Sequence, residues 1–189
     1  MESLISEIKN CKICLPYLVH GVNPVVSASE KSKIIIIGQA PGSIFHRTGI
    51  PWDDKSGDRL RNWLGVTKNE FYNKELFALI PMGFCYPGKG KSGDLPPRPE
   101  CAPEWHDLVL NQIVDKELIL LIGNHAQKYY LNNSVKDTLT NTVMNYTEYL
   151  PTYLPLPHPS PRNNIWFKKN EWFEKLVIPE LKRRVKDIY

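Results

Sequence analysis

The 189-residue sequence predicts an α/β fold, a single three-layer α/β/α domain over residues 1–189 around a central, mostly parallel four-stranded sheet. Three observations predict it. Two runs, KIIIIG at Lys33–Gly38 and ELILLIG at Glu117–Gly123, are apolar at consecutive positions, as strands buried on both faces are. The segments between apolar runs carry hydrophobic residues at helical spacing. Strands that alternate with helices place the helices on both faces of a parallel sheet. The length fits one domain of about 150 residues.

The elements follow in order. Lys33–Gly38 is the first strand. Ser56 is the expected cap of a helix whose Leu60, Trp63 and Leu64 share a face, and Gly65 stops it. LFALIP at Leu76–Pro81 is the second strand. Trp105, Leu108, Val109 and Ile113 form the next apolar stripe, with Pro103 tolerated in the first turn. Glu117–Gly123 is the third strand, and Leu139, Val143, Tyr146 and Leu150 make a further helix. TYLPLP at Thr152–Pro157 is the fourth strand; Pro155 and Pro157 interrupt its ladder and suit an edge. Phe173, Leu176, Val177, Leu181 and Val185 line a last helix, kinked at Pro179. No repeat, low-complexity tract or linker divides the chain.

With 42% hydrophobic and 23% charged residues, the composition is that of a globular protein with a core. No run approaches the roughly 18 apolar residues of a membrane span, so no membrane partner is expected. The N-terminal MESLISEIKNCK lacks the apolar stretch of a secretory signal, and a cytoplasmic, nucleoid-associated location is the expectation. A net charge of +4 leans mildly towards anionic partners. Its clearest concentrations are Lys168 and Lys169 in a tryptophan-rich stretch and the terminal LKRRVKD. Four cysteines without an export signal read as metal ligands or redox groups before disulfides.

The segments after the strands hold the unusual residues, and in open α/β sheets ligands bind at the carboxyl ends of strands. GQAPG (Gly38, Gln39, Ala40, Pro41, Gly42) combines glycines for a sharp turn and close approach with a rigidifying proline. Alone, it reads equally as a plain strand-to-loop turn. TGIPWDDKSG presents Trp52, a flat platform for a nucleobase or else a core aromatic, beside Asp53 and Asp54, which alone read as loop acids or caps. GNHA with Asn124 follows the third strand. HPSP holds His158 and Ser160 on a proline-stiffened loop, which suits a hydrogen-bond donor of fixed geometry. The cysteines are spaced as Cys11-x2-Cys14 and Cys85-x15-Cys101, and the intervening 15 residues include four prolines and three glycines. One close pair and two distant singles fit a four-cysteine iron–sulfur site better than a zinc ribbon, with zinc and unliganded thiols as the alternatives.

GQAPG, then GIPW, SG and LRNWL, then the four-cysteine pattern and HPSP occur in one order. In this the chain resembles the uracil-DNA glycosylase superfamily, in particular its iron–sulfur-containing branch, family four, from Cys11 to about Asn164. The resemblance implies an enzyme that excises a deaminated base, uracil foremost, from DNA; a monomer is the expectation. It makes Gly38–Gly42 the motif that holds the base and the attacking water, and puts Trp52 where the family has a stacking aromatic, usually Phe. It makes His158 the donor to the base carbonyl, and Cys11, Cys14, Cys85 and Cys101 the ligands of a structural [4Fe-4S] cluster. The loop with Arg162, Asn163, Asn164, Ile165 and Trp166 supplies phosphate contacts and a wedge, with Lys168 and Lys169 beyond it. Two positions depart from the branch. Gln39 stands where Glu is usual and cannot serve as a base, which makes Asp53 the nearest candidate to orient water. Pro81 stands where an Asn usually reads the base edge. These departures keep a second reading open, a non-catalytic or covalently trapping binder of damaged DNA.

Overall fold

The computed structural model describes residues 1–188; Tyr189, the last residue of the expected domain, lies outside the described residues. A four-stranded parallel sheet runs in the order β2-β1-β5-β6, from β1 (Ile34–Ile37), β2 (Phe77–Leu79), β5 (Leu118–Ile122) and β6 (Tyr153–Leu156). All four expected strands are present. β1 pairs with β2 and β5 along its two edges, and helices cover both its faces, which explains four consecutive buried isoleucines.

Alternation along the strands sorts the core into two layers. Ile35, Ile37, Ile119 and Leu121 pack against Leu4 and Ile8 of α1 (Glu2–Lys9) and Trp105 and Val109 of α5 (Cys101–Gln112). Ile34, Ile36, Leu118 and Leu120 face the other way. They meet Leu60, Trp63 and Leu64 of α3 (Lys55–Leu64) and Leu181 and Val185 of α9 (Ile178–Ile188). The three-layer α/β/α expectation therefore holds.

The sheet's edges are closed by different means. Ser27 bridges Leu79 in both directions, at 3.1 and 2.6 Å, and covers part of β2. On β6, the carbonyls of Thr152 and Leu156 accept from Ile119 and Gly123 of the neighbouring strand. By alternation the nitrogens of Pro155 and Pro157 face the open edge, where no donor is required.

Several boundaries differ from the sequence reading. The cap of α3 is Asp54, whose carboxylate accepts from the Gly57 amide at 2.9 Å; Ser56 lies inside the helix. Gly65 ends α3 in the left-handed conformation, as expected. Leu108 and Leu176 are exposed, at 49% and 61%, because each helix buries a narrower stripe than its apolar residues suggest. The Leu139 helix stops at Met144 (α7, Leu139–Met144) and continues as a 3₁₀ turn. The expected kink at Pro179 takes the form of a π-helical segment, Phe173–Val177, immediately before α9. The stretch expected as a long loop between GQAPG and α3 contains α2 (Ser43–Thr48), and Glu70 of α4 (Lys68–Phe71) forms a capping box with Thr67. The proline- and glycine-rich loop contains a small antiparallel hairpin, β3 (Lys89–Gly90) and β4 (Gly93–Asp94). Beyond β5 lies α6 (Asn124–Leu131), and α8 (Asn164–Lys169) follows the HPSP loop.

Candidate active site

A cleft of about 810 Å³ opens beyond the carboxyl ends of the strands. Its walls are Gly38–Gly42 after β1, Pro51, Trp52 and the start of α3, Pro81 after β2, the β3–β4 hairpin, and His158 and Ser160–Asn163 after β6. The β1–β2 ladder continues past the strands into the first motif. Met82 donates to the Gly38 carbonyl at 2.9 Å and Gly83 to that of Gln39 at 3.0 Å. The GQAPG turn is thereby anchored to the segment that carries Pro81.

His158 is held from several directions. Its Nδ1 accepts from the Ser160 amide at 3.2 Å, and Asn163 Nδ2 donates to its carbonyl at 2.8 Å. A backbone N–H can only donate, so Nδ1 is unprotonated and the neutral ring carries its hydrogen on Nε2. Burial lowers the His158 pKa, and the negative charge of Asp54 acts in the opposite direction. The imidazole is therefore a neutral Nε2–H donor in the wall of the cleft.

The indole of Trp52 stacks on that imidazole, with ring centroids 5.6 Å apart and planes at 29°. Trp52 is buried, so the core-aromatic reading and the cleft-lining reading both describe it. Its backbone has φ of 61°, rare for a bulky residue and a signature of an over-determined site. Three neighbours impose it. A Cβ on Gly38 would lie 2.8 Å from the indole, and one on Gly57 would lie 1.8 Å from the Trp52 carbonyl oxygen. Arg61, buried and paired with Asp58, donates to that oxygen at 3.0 Å.

The two adjacent acids part company. Asp53, the residue expected to orient water, does not line the cleft. Its carboxylate pairs with Lys68 at 2.7 Å, and that hydrogen bond lowers its pKa. Asp54 lines the cleft, close enough to His158 to influence its protonation. In the sequence both acids read as loop acids or caps and Ser56 as the cap of this helix; neither Asp54's cap nor its position beside the histidine is assigned there. Asn124 is exposed at the start of α6 and does not border the cleft. Gln39, Ser160, Arg162 and Asn163 do border it. Lys168 and Lys169 are exposed in the last turn of α8, away from the cleft wall. Trp166 is tied to Thr140 through its indole N–H at 2.8 Å and packs among Phe167, Trp172 and Phe173, whereas Ile165 is 69% exposed.

Behind Pro81 lies a pair that sequence reading missed. His106 on α5 is fully buried, and its Nε2–H donates to the Pro81 carbonyl at 3.1 Å. The Tyr130 hydroxyl donates to Nδ1 at 2.6 Å. Burial drives the His106 pKa down to about 4, so the ring is neutral. A lone histidine in an apolar stripe gives no sequence signal of such a role.

The four cysteines converge. Cys11, Cys14, Cys85 and Cys101 line one small cavity with Val22, Pro24, Phe84, Arg98 and Trp105. Burial pushes the Cys85 and Cys101 thiols up, to about 11 and about 12. Metal binding there must displace their protons. Among the described residues, no group of three or more His, Cys, Asp or Glu side chains is drawn together as the shell of one metal ion; the thiols surround a shared space instead. Four soft sulfur donors in an apolar lining are the donor set of an iron–sulfur cluster or zinc, while Arg98, also on the wall, is paired with Glu100, which also accepts from Cys14 Sγ at 3.8 Å.

The site is thus a cleft beyond the carboxyl ends of an open parallel sheet, with a neutral histidine held by its own loop and an indole stacked on it. Residues 25–182 match the Uracil DNA glycosylase superfamily. The chain belongs to that superfamily, and the membership points to a DNA glycosylase, a hydrolase acting on DNA. Among the described residues no helix is long and apolar enough to cross a membrane.

Proposed function

We propose that this protein belongs to the iron–sulfur branch of the superfamily, family four, and that it flips a deaminated base, uracil foremost, out of DNA and hydrolyses its N-glycosidic bond. The observation that carries this reading is His158, neutral, with its Nε2–H left as the donor in the cleft wall. A base inside the stack is out of reach, so it must be extruded, at a cost of a few kcal/mol. The departing uracil is an anion, and a preorganised donor at its carbonyl lowers the barrier by about 3 kcal/mol. The sugar becomes oxocarbenium-like and needs little nucleophilic push. The carboxylate suited to orienting water and facing that positive charge is Asp54, while Gln39 can hydrogen-bond but cannot take a proton. Arg162 and Asn163 meet phosphates, and exposed Ile165 serves as the wedge.

Cys11, Cys14, Cys85 and Cys101 would hold the [4Fe-4S] cluster, with zinc as the alternative. The group would act as a cross-link between the N-terminal segment and α5, with no part in bond cleavage. Pro81 lacks a side-chain donor, so recognition rests on stacking and backbone contacts, and such sites discriminate weakly.

Incubation with oligonucleotides carrying uracil, hypoxanthine or xanthine tests the reading. Alkali-labile strands from the uracil substrate are expected, with at least one deaminated purine processed less than about 10⁴-fold more slowly. The missing Glu at Gln39 favours one other outcome: a retained complex without abasic product, which replaces the enzyme with a binder of damaged DNA.

A further inference from the structure

We propose that the β3–β4 hairpin is a phosphate-gripping arm, with Lys89 and Lys91 seated on the nucleic-acid backbone where it enters the cleft. This rests on the reading that the cleft receives a nucleotide from DNA. The hairpin has two residues per strand and a two-residue turn, Lys91–Ser92. Too small to bury a core of its own, it is held by its surroundings. Leu95 donates to the Gly88 carbonyl at 2.9 Å, and its side chain covers Gly90, where a Cβ would lie 3.2 Å from it.

Its charges are sorted. Asp94, opposite Lys89 in register, is exposed on the cleft wall and accepts from the hydroxyl of buried Tyr86 at 3.3 Å, so the hairpin's acid is tied on the cleft side and not to its lysines. Lys89 and Lys91 are exposed, and among the described residues neither forms an ion pair. Arg162 reaches the same lip from the HPSP loop. Its Nη1 lies against Gly93, 2.6 Å from where a Cβ there would be. The basic run on α9 is different. There Arg183 pairs with Glu180 and Asp187, and Arg184 pairs with Glu180. The arginines of that run are spent on these acids, while Lys182 and Lys186, like the hairpin's lysines, form no ion pair among the described residues; what separates the two is place, since the hairpin contributes to the cleft wall and α9 packs on α3. Lys89 and Lys91 do not line the cleft themselves but sit on the hairpin whose Ser92–Leu95 segment does, an arrangement outside a pocket that suits a linear polyanion and not a small anion.

The test is fluorescence anisotropy with a labelled duplex carrying a tetrahydrofuran abasic analogue, which has no glycosidic bond to cleave, and with its undamaged counterpart. For K89Q/K91Q the slope of log affinity against log salt should fall in magnitude by about 2, equally on both duplexes, since each phosphate contact contributes about 0.9. The variant K182Q/K186Q on α9 should keep the parent slope. An unchanged slope in K89Q/K91Q overturns the arm. So does an equal loss in K182Q/K186Q, because net charge alone would then suffice. A parent protein that binds with a hairpin-dependent slope but releases no base sinks the glycosylase reading and leaves the arm standing.

Discussion

At the scale of single residues, the site turns on which atom of a side chain is left over after its own loop has been satisfied. His158 spends Nδ1 on the Ser160 amide, so its proton must sit on Nε2. Such a donor meets charge that appears only as the base departs, and interactions made only in the transition state raise the rate of the chemical step. His158→Ala is therefore expected to lower single-turnover excision by about 10²-fold or more while DNA affinity holds. An unaltered rate would return His158 to a structural loop residue. Asp53 and Asp54 give a paired test. Asp53→Asn removes the half-buried partner of exposed Lys68, outside the cleft, and should leave excision close to the parent. Asp54→Asn keeps the helix cap, because Asn caps as well as Asp, but removes the carboxylate from the cleft. It should slow single-turnover excision by about 10²-fold with the melting temperature preserved. If Asp53→Asn is the slower of the two, the assignment of the cleft carboxylate is wrong.

At the scale of elements, two helices carry the site's geometry. The first turn of α3 leaves room for the Trp52 backbone only because residue 57 has no Cβ. Gly57→Ala would bring a methyl within 1.8 Å of the Trp52 carbonyl oxygen. Overpacking of this kind costs about 1–3 kcal/mol, so the melting temperature should fall by about 5 °C, with the Trp52–His158 stack disturbed and excision impaired together. A thermal scan within 1 °C of the parent, on the order of 0.3 kcal/mol, would mean that the loop yields without strain. Helix α5 begins at Cys101 and reaches the back of the cleft through His106. The His106 pKa in the folded chain, about 4, lies below the ordinary 6.5 of the unfolded one. The unfolded chain therefore takes up the proton first. The contribution to stability is complete above about pH 6.5 and lost progressively as pH falls towards 4, on the order of 3 kcal/mol. His106→Gln retains a donor for Pro81 and does not titrate, so its urea midpoint should fall less steeply over that range. Equal slopes in the two proteins would sink this account.

At the scale of the whole molecule, the fold gathers distant segments at one end of the sheet. The β2-β1-β5-β6 order puts β1, which leads into GQAPG, at the centre, and β6, which leads into HPSP, at an edge. The cleft spans the two. The cysteine cavity joins the segment after α1 to the start of α5, in the layer opposite α3 and α9. Protein purified anaerobically is expected to be brown, with broad absorption near ~400 nm and iron bound to the chain. Cys85→Ser or Cys101→Ser should bleach it and lower the melting temperature, since a bound metal centre stabilises the folded state. Colourless protein holding one zinc per chain would assign the zinc alternative instead.

The sequence by itself determined what local pattern can encode. Consecutive apolar residues specified the strands, since a strand buried on both faces has no polar position to spare. Pro155 and Pro157 marked an edge because they lack donors, and Gly65 marked a helix end because it tolerates positive φ. The order of GQAPG, GIPW and HPSP identified the superfamily, while the four spaced cysteines, read as ligands of one metal centre, line one small cavity. The tertiary structure decided everything that depends on which way a side chain faces. Asp53 and Asp54 are neighbours of identical chemistry, and only the packing of Lys68 on one side and His158 on the other separates them. Likewise His106 gained its place behind Pro81, and among the described residues the hairpin's lysines form no ion pair while α9 spent its arginines on Glu180 and Asp187. Such outcomes are settled by contacts between elements far apart in the chain, where local spacing carries no information.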